Sequence, residues 1–86
     1  MKLILFGTSA CHLCEMAHAL LIPILQNNSS IALELIDIAE QTQWQERYAI
    51  RIPVLYHPKT QKELGWFFDE AAVIHFINEL ENDETI

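Results

Sequence analysis

The sequence predicts an α/β fold: a four-stranded mixed sheet flanked by three helices, in the order β-α-β-α-β-β-α. Three observations lead there. A short continuous apolar run, Leu3-Ile4-Leu5-Phe6, is followed by a helix-periodic segment and then by a second strand-like run, Ile31–Ile36. That is the pattern of two parallel strands joined by a helical crossover, which should be right-handed. Two further strand-like runs, led by Pro53 and separated by a hairpin-length loop, add antiparallel strands. An amphipathic helix closes the chain.

Each element has its own reason. Lys2–Phe6 is nearly all apolar and short, which suits a strand buried on both faces. Gly7-Thr8-Ser9 is turn material. From Leu13 the apolar residues Leu13, Ala17, Leu20, Leu21, Ile24 and Leu25 line one face of a helix. Pro23 lacks an N–H and its ring opposes the Ala19 carbonyl, so a kink or a tight last turn is expected there. Asn27-Asn28-Ser29-Ser30 is a loop. Asp37 ends the second strand and can cap the second helix; Thr42-Gln43-Trp44-Gln45 is an alternative capping box for that short helix, which runs through Tyr48. Pro53 should begin a strand, where its missing N–H is tolerated. His57–Gln61 reads as the hairpin loop, with His57 an ordinary loop residue, and Lys62–Trp66 as the return strand. Asp69 is the expected N-cap of the last helix, with Phe68 and Val73 as a hydrophobic staple. Val73, Phe76, Ile77 and Leu80 form its apolar stripe, and Glu81–Ile86 reads as a frayed acidic tail.

Length and composition bound the function. With 86 residues, a single domain over 1–86 is expected, and 51% hydrophobic residues are enough for a core. Five Lys plus Arg stand against twelve Asp plus Glu, for a net charge of −7. That balance argues against nucleic acid and anionic membranes as partners, since both call for a basic footprint. The N-terminal apolar run is too short for a secretory signal, and no stretch reaches the ~20 apolar residues of a membrane-spanning helix. The protein therefore reads as cytoplasmic.

The chemistry concentrates in Cys11-His12-Leu13-Cys14, which holds both cysteines of the chain. The pair stands at a strand-to-helix junction. A helix N-terminus offers unpaired N–H groups and a positive dipole end, both of which stabilise a thiolate. In a reducing compartment a C-x-x-C pair points to redox catalysis or metal binding rather than to a structural staple. A protonated His12 would favour a Cys11 thiolate, and Glu15 would oppose it. Cys11, Cys14 and His18 could supply three metal ligands, but no second Cys/His cluster completes a zinc site, so no metal site is assigned. His18 otherwise reads as a surface or groove residue.

Three stretches taken together are similar to the small bacterial glutaredoxin-like family of thioredoxin-fold proteins. They are Phe6-x4-Cys11-His12-Leu13-Cys14, then Glu46-Arg47-Tyr48-x-Ile50-Arg51-Ile52-Pro53-Val54-Leu55, then Leu64-Gly65-Trp66-x-Phe68-Asp69. The similarity covers essentially the whole chain and implies a thioredoxin-like fold. It implies that Cys11 is the exposed attacking cysteine, Cys14 the resolving cysteine, and Pro53 the residue after a cis peptide bond beside them. Ile52 would then offer its backbone N–H and C=O to substrate as an added strand. His12, Leu13, Ile52, Pro53, Gly65, Trp66 and Asp69 are the implied substrate-binding positions.

The implied function is thiol–disulfide exchange on a glutathione mixed disulfide or a protein disulfide. It comes with no resident cofactor, glutathione as a cosubstrate and a monomeric state. A reduction potential of roughly −270 to −200 mV is expected for such a pair. The chain departs from glutathione-using glutaredoxins in three places. His12-Leu13 replaces Pro-Tyr, Thr8 replaces a lysine, and Gly65-Trp66-Phe67-Phe68-Asp69 replaces a Gly-Gly-polar-Asp stretch. Two alternative classes stand beside the enzyme: a non-catalytic adaptor that offers its Pro53 region to a protein, and a metal- or iron–sulfur-binding protein that uses Cys11.

Overall fold

The computed structural model describes residues 1–49 and 51–84, with the backbone alone at positions 42, 46, 83 and 84. Its elements are β1 (Lys2–Gly7), α1 (His12–Gln26), β2 (Ala32–Asp37), α2 (Thr42–Tyr48), β3 (Val54–His57), β4 (Lys62–Gly65) and α3 (Glu70–Glu84). The strands form one four-stranded sheet in the order β2-β1-β3-β4. β1 runs parallel to β2 and antiparallel to β3, and β3 runs antiparallel to β4. This is the mixed α/β sheet with three helices that the hydrophobic pattern predicts. Among the described residues, no helix is long and apolar enough to cross a membrane.

β1 is central, and its continuous apolar run is used on both faces, since successive side chains of a strand point to opposite sides. Leu3 and Leu5 enter a core built with Ala17 and Leu21 of α1, Leu55 of β3, and Val73, Phe76, Ile77 and Leu80 of α3. Ile4 and Phe6 enter a second core with Ile36, Ile38, Tyr48, Val54 and Tyr56, against which Trp44 packs. α1 and α3 thus cover one face and α2 the other. The second core is aromatic: Phe6 stacks on Tyr48 with ring centroids 4.5 Å apart and meets Trp44 at 4.8 Å.

The α3 start follows the expected pattern. Asp69 Oδ1 accepts the Ala72 N–H at 2.8 Å, and Phe68 and Val73 are both buried in the first core. α1 runs on through Pro23 to Gln26 and ends in the expected tight last turn, with Asn28 N–H donating to the Leu25 carbonyl at 3.0 Å. Several other local expectations are corrected. Leu13, on the first turn of α1, is 45% exposed and so does not join the core-facing stripe. The cap position of α2 is Gln41, without a side-chain cap bond, one residue before the Thr42 that the capping box would place there. Gln45 instead donates to the Ala39 carbonyl at 3.1 Å, and Asp37 Oδ1 accepts the Ala39 N–H at 2.9 Å, making a turn rather than a helix cap.

β4 stops at Gly65, so Trp66 lies outside it. His57 is the last residue of β3 and only 1% exposed. Its Nδ1 lies 2.7 Å from Thr60 Oγ1, so the imidazole is satisfied inside the hairpin. The acidic tail is helical as far as Glu84; Thr85 and Ile86 lie outside the described residues, as does Ile50 of the second family-like stretch.

One polar cluster ties α2 to the β4 edge. Tyr48 Oη donates to Glu63 Oε2 at 2.5 Å, and Arg51 donates to Glu63 Oε1 at 2.5 Å. Burial pushes the Tyr48 hydroxyl up to about 12, helped by the hydrogen bond to Glu63 and by its negative charge. Burial also pushes the Glu63 carboxyl up, but the bonds from Tyr48 and Arg51 and the charges of Arg51 and Arg47 outweigh it and hold the group below its usual 4.5. The depressed Glu63 contributes stability above its unfolded value of 4.5, lost as pH falls through the folded value. The raised Tyr48 contributes stability below 10.0, lost as pH climbs toward about 12. Glu63→Ala should cost about 1–2 kcal/mol at neutral pH in denaturant unfolding. Glu63→Gln should flatten the acid limb of a stability–pH profile, and Tyr48→Phe the alkaline limb.

Candidate active site

The site begins where β1 ends. After Gly7 the chain turns, with Cys11 N–H reaching back to the Thr8 carbonyl at 3.4 Å, and α1 starts. Cys11 occupies the N-cap of α1, with extended backbone angles of φ −101° and ψ 107°. A cap is usually an oxygen-bearing side chain that accepts an N–H of the first turn. Here sulfur takes the role: Cys14 N–H donates to Cys11 Sγ at 3.1 Å. The two cysteines are joined as a disulfide, with Cα atoms 5.2 Å apart. Cys11 is half-buried and Cys14 is only 7% exposed, so one sulfur of the pair is the more approachable.

Gly7, which local patterning reads as simple turn material, has a more exacting place. A Cβ built there would lie 3.0 Å from Cys14 Sγ and 3.1 Å from Cys14 Cβ. The bare backbone of β1 is therefore what lets the buried sulfur sit against the sheet. A glycine at a strand end, just ahead of a cysteine-led helix cap, is the signal that could have marked it.

The neighbouring strands bring the other predicted residues to the same end of the sheet. Val54 pairs with Phe6 on one side and Gly65 on the other. Trp66 N–H donates to the Pro53 carbonyl at 3.1 Å. Pro53 and Trp66 thus continue the row in which Gly7 stands. The Ile52–Pro53 and Trp66–Phe67 peptide bonds are cis. The Ile52 N–H donates to the Tyr48 carbonyl at 3.1 Å, which corrects the expectation that both of its backbone groups are open to an added strand.

The remaining predicted positions divide. His12 points outward with its side chain 83% exposed, and its Nδ1 lies 3.8 Å from Glu15 Oε2. Leu13 is exposed beside it on the first turn of α1. Trp66 is half-buried and packs edge-on to Phe68, while Phe67 is 73% exposed. Asp69 is engaged as the α3 cap, so its carboxylate is already committed to Ala72. Among the described residues, no three His, Cys, Asp or Glu side chains group in a way that could hold a metal ion, and Cys11, Cys14 and His18 form no such set.

A cavity of about 250 Å³ opens on the β2 side of Cys14, lined among others by Gly7, Thr8, Cys14, His18, Leu35 and Asp37. Nothing in the local patterning of the sequence announces it. Its one hint is the register that sets Asp37 opposite Gly7.

Residues 2–78 match the family model described as Glutaredoxin-like domain (DUF836). Three solved structures illustrate the likeness. Protein Ne2328 from Nitrosomonas europaea is 34% identical, with 87% of this chain and 88% of that one covered and a TM-score of 0.68. Target protein XcR50 from X. campestris is 27% identical over 90% of this chain and 96% of that one, with a TM-score of 0.71. Thioredoxin 1 from the thermophilic eubacterium Thermosipho africanus TCF52B is 20% identical with both chains covered 100%, at a TM-score of 0.72, a likeness of fold. No curated protein matches the chain.

The Gly7 contact yields a prediction. Gly7→Ala places a methyl group against a sulfur held by a disulfide, which cannot move aside freely. It should destabilise the oxidised protein by about 1–3 kcal/mol, as overpacking does. Gly65→Ala, where an added Cβ meets nothing within 4 Å, should cost less. Paired denaturant titrations of the oxidised variants check the difference, and equal costs would mean that Gly7 does not support Cys14.

Proposed function

The chain belongs to the glutaredoxin-like family of thioredoxin-fold proteins, and on that footing we propose that it is a thiol–disulfide oxidoreductase working through Cys11 and Cys14. One observation carries the reading. The more approachable sulfur, Cys11 Sγ, is the acceptor of a first-turn N–H at the start of α1. A hydrogen bond to an ionised acceptor is roughly twice as strong as one to a neutral acceptor, so this arrangement favours the thiolate over the thiol. The helix dipole acts in the same direction.

In the reduced protein the Cys11 thiolate attacks a substrate disulfide. A mixed disulfide forms between Cys11 and one half of the substrate, and the other half leaves as a thiolate. Cys14 then attacks Cys11, the internal disulfide forms, and the second half leaves. Two electrons pass from the dithiol to the substrate, and a thiol reductant restores the pair.

Substrate approaches from the exposed side of Cys11, over His12, Leu13, Ile52, Gly65 and Trp66, while Pro53, whose side chain is fully buried, acts through its backbone and Asp69 holds the α3 start. The Ile52 carbonyl is the backbone group offered to an extended substrate, since its N–H is spoken for. A glutathione mixed disulfide or a protein disulfide fills that role, with glutathione as cosubstrate, no resident cofactor and a single chain as the working unit. The bulk of Trp66 and Phe67 and the commitment of Asp69 to a helix cap favour the protein disulfide. A cytoplasmic setting supplies the thiols that return the pair to its reduced state.

The test is incubation in buffers of graded glutathione redox ratio, acid quench, alkylation and intact mass. A reversible two-electron transition between dithiol and internal disulfide is expected within about −270 to −200 mV. Cys11→Ser should abolish disulfide reduction, and Cys14→Ser should accumulate a mixed disulfide on Cys11. A Cys11→Ser protein that reduces disulfides at the wild-type rate rules the scheme out. Cysteines that stay reduced at every ratio would instead favour an adaptor role.

A further inference from the structure

The second step of that scheme sets a demand at Cys14. Its sulfur is buried, and it must lose a proton before it can attack Cys11. Burial in apolar surroundings works against a thiolate. On the sheet side, Cys14 lies against the backbone of Gly7. Beside it is the cavity of about 250 Å³, room for several waters at ~30 Å³ each. Glu15 and His18 line this space from α1, Leu35 and Asp37 from β2, and β1 contributes only Leu5 and Gly7. Cys14 and His18 are four residues apart on α1 and line the same cavity. At that spacing Cβ atoms lie about 5–6 Å apart, a distance that one water can bridge between two polar groups.

We propose that His18 is the proton acceptor for the Cys14 thiol in the resolving step, acting through the cavity on the β2 side of the dithiol. The proposal rests on the disulfide-exchange reading and deepens it. Imidazole is the side-chain type that takes up and returns a proton between pH 5 and 8. Glu15 and Asp37 are the other titratable groups that line the same cavity. His12, which meets Glu15 at 3.8 Å, stands on the outer face of the first turn.

Protons and electrons balance within this step. The Cys14 S–H gives its proton through water to His18. The Cys14 thiolate attacks Cys11 Sγ, and the Cys11–Cys14 bond forms as the bond from Cys11 to the substrate sulfur breaks. The substrate leaves as a thiolate and takes a proton from solvent. The electron pair comes from the dithiol, so no outside oxidant is needed.

Stopped-flow reaction of the reduced protein with the aromatic disulfide 5,5′-dithiobis(2-nitrobenzoate) separates the steps, since each releases one coloured thiolate. The first phase, attack by Cys11, scales with reagent concentration; the second, attack by Cys14, does not. His18→Gln should leave the first phase unchanged and slow the second by roughly tenfold or more. It should also remove the rise of the second-phase rate across the imidazole range of about pH 5–8. Free imidazole should restore the second phase in His18→Ala, which a merely structural loss would not allow. A second phase unchanged in His18→Gln, or a slowed one in His18→Ala that imidazole does not restore, overturns the role of His18 and leaves the exchange reading standing. Absence of any second phase in the wild-type protein overturns both.

Discussion

The burial of β1 on both faces is the constraint on which the rest of the molecule depends. Leu3 and Leu5 anchor α1 and α3 on one side, and Ile4 and Phe6 anchor α2 on the other. A strand buried on both faces is also shut off from water, so its backbone N–H and C=O groups must be paired by a neighbour on each edge. β2 does so over six residues in parallel, and β3 pairs in the opposite sense. The end of β1 is therefore a fixed point, and the cysteine pair is built from it. Phe6 is held by Tyr48 and Trp44, Gly7 comes next, and Cys14 rests on Gly7. Packing in the aromatic core thus sets where the buried sulfur can lie, although no aromatic side chain need touch it.

How much of this can be read from the residues depends on how local the cause is. The β1 strand is legible because a short, unbroken apolar run has few other uses. The α3 start is legible because Asp69, Phe68 and Val73 satisfy a cap and a staple at fixed offsets. The cysteine spacing and the Pro53 element lead to the family and the fold. The features that escape are decided by partners distant in sequence or by the ends of elements. Leu13 fits the apolar period of α1, but periodicity says nothing of whether the first turn has anything above it. His57 looks like loop material until the hairpin folds and Thr60 meets its ring. The Ile52 N–H looks open until α2 ends beside it and the Tyr48 carbonyl takes it. The cavity beside Cys14 belongs to no single segment, since α1, β1 and β2 each supply part of its wall.

The dithiol has two unlike sides. On one side, the row that begins at Gly7 continues through Pro53 and Trp66, and Phe67 beyond it is exposed. Toward β2 the dithiol meets a small cavity with ionisable residues on its rim. Partition of this kind suits a reaction in which one sulfur must meet a bulky partner and the other must shed a proton before it attacks the first. It also explains how Cys14 can be buried without being isolated.

Cys11 is at once the terminating residue of a helix and the reactive atom of the proposed chemistry. These two roles share a single thermodynamic cycle. Whatever the ionised sulfur gains from the first turn of α1, the first turn gains from the ionised sulfur, because linkage between two equilibria is reciprocal. The coupling between order at the helix start and ionisation of the thiol is one quantity that can be read from either side. A substitution that weakens the cap bond itself should therefore show both as a less acidic thiol and as a helix start that gains less order from ionisation. Selection on reactivity through this bond is in that measure also selection on local order.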